Sequence, residues 1–240
     1  MGMLQRAVRI IMPPQCGLCG SFTEGDGGLC ATCWREAEFA SGTVCECCGT
    51  VLPGTDDGPV LCDECLRVTR NWKNGRTAMR YAGAGRKLVL ALKHGDRLDL
   101  VPVLGRMMAQ VARPLLQTDT VIVPVPLHWT RLLRRRYNQS AVLAQEVGHL
   151  VGRPVSVDGL IRIRRTPPTE GMSREDRLLN QLDSIQPHPR RGGRLRGRHV
   201  LIIDDVMTTG ATLSAATDGA FRAGAREVSV LTLARAAKDA

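Results

Sequence analysis

The stretch HVLIIDDVMTTGAT, residues 199–212, decides how the rest of the chain is read. Val200 to Ile203 are four consecutive apolar residues, the pattern of a strand buried on both faces of a parallel sheet. Asp204 and Asp205 follow at its carboxyl end, where open α/β sheets bind ligands. A small-residue loop then opens a helix, and its backbone N–H groups with the helix N-terminus form an anion site suited to a 5-phosphate. Thr208, Thr209 and Thr212 add hydroxyl donors, while Gly210 lets the backbone come close. The two carboxylates are placed to accept hydrogen bonds from the vicinal hydroxyls of a sugar. A lone acidic pair at a strand end is ordinarily a turn or a helix cap. The order strand, acid pair, small-residue loop, helix is what points to a sugar phosphate.

Outward from this stretch, short apolar strands alternate with helical segments, which implies a doubly wound parallel α/β sheet. RTAMRYAG at 76–83 reads as a strand and RKLVLALKHG at 86–95 as a helix closed by Gly95. Val101 to Leu116 reads as a helix with Pro114 disrupting its end. VIVPVP at 121–126 is a short buried strand entering a proline-set loop. SAVLAQEVGHLVG at 140–152 is an amphipathic helix with Ser140 as its N-cap and Gly152 beyond its end. Residues 162–198 are polar, rich in Arg, Pro and Gly and without strong periodicity, a length that usually carries function. A helix over 211–223 and a strand EVSVLTLA close the chain.

The loop after the 121–126 strand supplies a second candidate site. Its Pro126, Arg131, Arg135, Asn138 and Gln139, with Arg134 and Arg136 alongside, suit pyrophosphate or another polyanion, because guanidinium groups contact phosphate oxygens bidentately. The formal net charge is +10, and residues 131–198 hold 15 Lys/Arg against 6 Asp/Glu. Such a field concentrates phosphates or nucleic acid without choosing between them. Aromatic residues are only 3% of the chain, which argues against an extended base-stacking platform. No run approaches the ~18 apolar residues of a membrane span, and MGMLQRAVRIIMPP lacks the apolar core of a signal peptide. The expected location is the cytoplasm.

All nine cysteines fall in residues 16–65, eight of them in CxxC pairs: Cys16/Cys19, Cys30/Cys33, Cys45/Cys48 and Cys62/Cys65. Two CxxC turns complete a tetrahedral S₄ shell, so eight ligands predict two structural zinc ions. Four thiolates per ion leave no open position for chemistry. Gly20 and Gly49 follow the second cysteine of their pairs, as a turn of positive φ requires. Sequential pairing makes two zinc ribbons in tandem, a cross-braced pairing fits the same spacing, and an iron–sulfur cluster is the weaker alternative. Cys47 is left over as a bystander thiol. The chain divides at about residue 70, into a cysteine-rich double zinc-ribbon module (1–70) and the α/β domain (71–240).

The acid pair and its loop resemble the phosphoribosyl-pyrophosphate signature of type I phosphoribosyltransferases. Over nearly the whole chain the sequence resembles the competence protein F (ComF) family. The resemblance rests on PPxCxxCG at 13–20, Tyr81 with LKHGD at 92–96, VPVPLHxxRLxxR at 123–135, the YNQ triplet at 137–139, RxRRT at 162–166, SxxxRxxN at 173–180 and DDVMTTGAT at 204–212. Two positions depart from the family pattern: Arg136 stands where a Gly is usual, and Thr169 where a Gln is usual. The resemblance implies phosphoribosyl pyrophosphate or a related ribose phosphate as ligand, with Asp204, Asp205, Met207, Thr208, Thr209, Gly210, Ala211 and Thr212 holding it. It implies Mg²⁺ bound with the pyrophosphate, and a role in natural transformation on single-stranded DNA beside an ATP-driven competence helicase. The alternative is a metabolic phosphoribosyltransferase acting on a base or amine; a third reading is a nucleotide-sensing adaptor. No catalytic base is assignable, and Arg174 and Arg177 are the candidates to close over pyrophosphate.

Overall fold

The computed structural model describes residues 13–23, 28–55, 58–94, 97–165, 181 and 183–236. Four strands form one parallel sheet: β1 (Gly75–Arg80), β2 (Val121–Pro124), β5 (His199–Met207) and β6 (Glu227–Arg235), in the order β1-β6-β5-β2. A parallel bridge between Ile122 and Val155 adds a fifth position beyond β2. β3 (Leu160–Arg162) and β4 (Ile185–Pro187) pair antiparallel as a separate two-stranded unit. These two strands lie where or beside where the sequence reads as aperiodic, because three residues are too few to show a period.

Alternate residues of each strand enter different cores, as a period of two requires. Val121, Val123, Val200, Ile202, Val228 and Val230 share one cluster. Ile122, Leu201, Ile203, Leu231 and Leu233 share the other. The second cluster is closed by α3 (Gly83–His94), α4 (Val101–Ala112) and α6 (Gln139–Val151) through Leu88, Leu104 and Leu143. The first is closed by α7 (Ala211–Arg222), the β3–β4 unit and three cysteines, Cys45, Cys48 and Cys65.

The strand order follows from handedness. From β1 to β2, and from β2 to the Val155 bridge, the chain advances toward one edge of the sheet. From β5 to β6 it advances toward the other. Right-handed crossovers therefore put α3, α4 and α6 on one face and α7 on the opposite face. β2 and β5 are neighbours whose connections leave to opposite faces, and the crevice outside their carboxyl ends is the place where such sheets bind ligands.

Several local expectations change. The α4 helix stops at Ala112, and Pro114 sits in a 3₁₀ turn, Arg113–Leu115. The N-cap of α6 is Asn138, whose Oδ1 accepts from the Ser140 N–H at 3.0 Å, and not Ser140. Ser140 lies one turn position inside the helix, which frees its hydroxyl for Asp204. The strand bearing the acid pair runs on to Met207, so Asp204 and Asp205 lie within it.

The cysteine-rich segment is built onto the sheet. Residues 38–40 pair antiparallel with the free edge of β1 through Ala40 N–H to Ala78 O (2.9 Å) and Arg80 N–H to Glu38 O (2.8 Å), which covers an edge that would otherwise be open. The turn around Cys45–Gly49 sits on the start of β1: Gly75 N–H donates to Glu46 O at 2.8 Å and Arg76 Nη2 to Glu46 Oε1 at 2.6 Å. Gly49 has φ +72°, and a Cβ there would lie 2.4 Å from the Thr77 nitrogen. Gly49→Ala therefore meets backbone that cannot swing aside. We expect it to lower unfolding free energy by about 2–4 kcal/mol, read by urea denaturation of the zinc-loaded protein.

Candidate functional site

The eight paired cysteines resolve into two clusters, Cys16, Cys19, Cys30 and Cys33, and Cys45, Cys48, Cys62 and Cys65. Pairing is sequential, which decides between the tandem and cross-braced arrangements. Within each cluster every sulfur lies within 4.8 Å of the others, and Cys19–Cys30 and Cys48–Cys62 approach to 3.6 Å. Zinc–sulfur bonds of about 2.3 Å in a tetrahedron put the sulfurs about 3.8 Å apart, so both shells fit structural zinc. The short helices α1 (Ala31–Glu36) and α2 (Asp63–Arg67) begin inside these shells, after Cys30 and Cys62. Gly20 and Gly49 both have positive φ, as the knuckle turns need.

At the carboxyl end of β5 an open pocket is lined by Asp204, Val206, Met207, Thr208, Thr209, Gly210, Ala211, Thr212, Leu213 and Gln181. Seven of the eight sequence-picked loop residues thus meet in one wall. Gly210 has φ +83° and is the N-cap of α7. A Cβ on it would lie 2.8 Å from Arg70 Nη1 and 3.1 Å from the Trp72 ring, so the position needs both the conformation and the space of glycine.

The acid pair divides its contacts. Asp204 is 9% exposed; its Oδ1 accepts from Ser140 Oγ at 2.8 Å and from the Asp205 N–H at 2.9 Å. Burial, then the Asp205 charge, pushes its carboxyl up to about 7, against the opposing effects of Ser140 and Lys93. Asp205 is outside the pocket wall and pairs with Lys93 Nζ at 3.1 Å. Arg162 closes the site from the β3 side: Nε donates to Pro126 O at 3.1 Å and Nη1 to Gln181 Oε1 at 2.8 Å. Its burial, together with the Arg131 charge, pushes its guanidinium down to about 10, although Asp204 acts in the opposite sense.

The second predicted loop is only partly in the pocket's reach. Pro126 is joined to it through Arg162. Asn138 spends its amide on structure, capping α6 and donating from Nδ2 to Val125 O at 2.9 Å. Gln139 is buried and accepts weakly from Arg135 Nη1 at 3.4 Å, while its Nε2 has no partner among the described residues. Arg131 and Arg135 belong to α5 (Trp129–Arg135), which has no buried residue. Partial burial, then the charges of Arg135, Arg165 and Arg134, hold the Arg131 guanidinium below its usual range. Arg174, Arg177 and Thr169 lie outside the described residues.

A double zinc ribbon domain model matches residues 7–66, and a phosphoribosyl transferase domain model matches residues 138–240. The DNA utilization protein YhgH of Escherichia coli K12 is 31% identical over 232 residues, covering 94% of this chain and 99% of its own length. Competence protein F of Haemophilus influenzae is 27% identical over 222 residues, covering 90% and 94%. This chain belongs to the YhgH–competence protein F family. Among solved structures, the allosteric regulatory enzyme of purine biosynthesis superposes on 60% of this chain and 30% of its own, with TM-score 0.41 and 22% identity. Among the described residues of this family member, no helix is long and apolar enough to cross a membrane.

Sequence reasoning gave no site role to Lys93, Arg162 or Gln181, nor to the two arginines beneath the loop, Arg70 and Arg235, and took Ser140 only for a helix cap. Lys93 and Arg162 stand inside motifs that carry the family resemblance, LKHGD and RxRRT. Arg235 left a fainter signal, a charged residue after the apolar Leu233 and Ala234 at the end of its strand.

Two outcomes follow from these environments. Arg136, at φ +65°, caps α5 in the left-handed region; Arg136→Gly should raise unfolding free energy by about 1 kcal/mol in urea denaturation. Asp204 titrates near 7 folded against 3.8 for an ordinary aspartate. Between about pH 4 and 7 the folded state keeps a proton that the unfolded chain releases, so this group's contribution to stability falls as pH rises through that window. Asp204→Asn should therefore gain about 2–4 kcal/mol over the wild type at pH 8 and much less at pH 5, read by denaturation at both values.

Proposed function

We propose that the pocket takes phosphoribosyl pyrophosphate or a closely related ribose phosphate, and that the protein uses it in DNA utilisation of the kind for which its relatives are named. The observation that carries this reading is the composition of one wall: a buried carboxylate beside threonine hydroxyls and the amino end of a twelve-residue helix. A 5-phosphate would rest on residues 207–212 and the ribose diol on Asp204, with Asp205 beside it. The pyrophosphate would extend toward Pro126 and the 124–139 loop, with Arg131 and Arg135 supplying charge. Mg²⁺ would arrive with the ligand, because Mg²⁺ is ordinarily held by phosphate oxygens and waters with one or two carboxylates. Asp204 is the carboxylate that lines the pocket, and the ion would neutralise pyrophosphate charge there.

Single-stranded DNA fits the arginine-rich side of the same edge. On α5 the exposed Trp129 (64%) and Leu133 (73%) stand among Arg131, Arg134 and Arg135. One exposed aromatic supports stacking of a base or two rather than a long platform, so phosphate contacts would dominate affinity. The resemblance to competence protein F adds an ATP-driven helicase as neighbour and the cytoplasm as the place of work.

Calorimetric titration of the zinc-loaded protein with phosphoribosyl pyrophosphate and Mg²⁺ tests the pocket. Saturable binding, weakened at least about tenfold in Asp204→Asn/Asp205→Asn without unfolding, is the expected result. No binding to the folded wild type would overturn the reading. For the nucleic acid, the logarithm of affinity for a short single strand should fall with the logarithm of salt concentration with a slope of about −0.7 for each phosphate contacted; a flat line would refute a role for the arginine surface.

A further inference from the structure

The carbonyl side of the 207–210 loop is as specific as its N–H side. Arg235, at the end of β6, donates from Nη1 to the carbonyls of Met207 (3.2 Å), Thr208 and Ala236 (2.7 Å). Arg70 donates from Nη1 to Thr209 O at 2.7 Å. Three consecutive peptide units thus turn their carbonyls onto buried guanidinium groups. None of these peptides is cis, and in a trans peptide the N–H points opposite the carbonyl. The N–H groups of Thr208, Thr209 and Gly210 are thereby directed away from the arginines, on the side of the pocket that these residues line.

Both arginine side chains are nearly inaccessible, 4% exposed at Arg70 and 3% at Arg235, and they share Glu64. Glu64 Oε1 accepts from Arg70 Nη2 at 3.0 Å and Oε2 from Arg235 Nη2. Each guanidinium leaves a buried Nε–H without a partner among the described residues, so the side chains are placed for what their Nη groups reach. Glu64 stands on α2 between Cys62 and Cys65, two ligands of the second cysteine shell. A second strut runs beside it. Trp72 donates from Nε1 to Cys47 O at 2.7 Å, Arg70 lies 5.3 Å from the Trp72 ring centroid, and Gly210 packs on both.

We infer that Glu64, Arg70 and Arg235 are positioning residues for the anion loop, and that through them the second zinc shell is an integral part of the ligand site. The inference rests on the ribose-phosphate reading for the ligand, though not for the contacts. The first shell has a different neighbourhood: Gly17 packs against Leu100 and Arg97 at the entry to α4. The two zinc ions are therefore not equivalent. Linkage makes the effect reciprocal, so a ribose phosphate on the loop raises the zinc affinity of the second shell and leaves that of the first unchanged.

The test uses the full zinc-loaded chain as wild type, Glu64→Gln, Arg235→Lys and the control Lys73→Ala, which breaks an exposed pair with Glu227. Arg235→Lys keeps the charge and loses the planar fork. Calorimetry with ribose 5-phosphate and with phosphoribosyl pyrophosphate should show affinity falling about tenfold or more in the first two variants, equally for both ligands because they share the 5-phosphate, and unchanged in the control. Amide exchange, read on the same proteins without ligand, should quicken at residues 208–212 and stay as in the wild type over β1 and β2. Wild-type affinity and wild-type exchange in Glu64→Gln and Arg235→Lys would overturn the inference. If the wild type binds neither ligand, the ribose-phosphate reading fails by itself and the exchange arm decides: faster exchange confined to 208–212 retains the positioning role, and unchanged exchange removes it.

Discussion

An ionised carboxylate taken out of water costs several kcal/mol unless neighbours restore its hydrogen bonds and charge, and Asp204 sits at 9% exposure in the centre of the sheet's carboxyl edge. The compensation comes from separate parts of the chain. Ser140 reaches it from the first turn of α6, the Asp205 amide from its own strand, and Lys93 from the last turn of α3 by way of Asp205. Arg162 adds a favourable charge from β3. Helices that pack their apolar faces on the sheet thus also bring polar ends to one point. The compensation is incomplete, since the carboxyl still titrates near 7. A ligand bearing hydroxyl donors would supply part of what is missing.

The cysteine-rich segment answers a different problem. A parallel sheet has to be covered on both faces, and α7 with the β3–β4 unit covers only part of one. Cys45, Cys48 and Cys65 complete that cover beside Trp72 and Val230. Residues 38–40 shield the β1 edge. A segment so poor in large apolar residues holds this position because metal binding substitutes for a core of its own. The zinc ribbons are accordingly part of the sheet's packing, and the second one borders the 207–210 loop from behind.

How much of this was legible beforehand follows from how local each signal is. The parallel sheet could be read because VIVP and VLII are unbroken apolar runs and VSVLTL is broken only by the small Ser229 and Thr232, and two buried faces demand such runs. The CxxC pairs and their glycines could be read because a knuckle is closed within five residues. The pocket-lining loop from Met207 to Thr212 could be read for the same reason. The N-cap of α6 was misplaced by two residues, because Asn138 and Ser140 are both good caps and only the helix's approach to Asp204 chooses between them.

What the sequence by itself determined is therefore the class of sheet, the chemistry of the two metal shells and the loop that lines the pocket, each set by residues close together in the chain. Tertiary structure alone decided which cysteine pairs combine, which carboxylate enters the pocket, and what holds the loop's carbonyls. Those are contacts between residues such as Glu64 and Arg235, Ser140 and Asp204, or Pro126 and Arg162. Their partners are chosen by the order and handedness of strands, and an arginine fork has no local preference that announces which distant carbonyl it will meet.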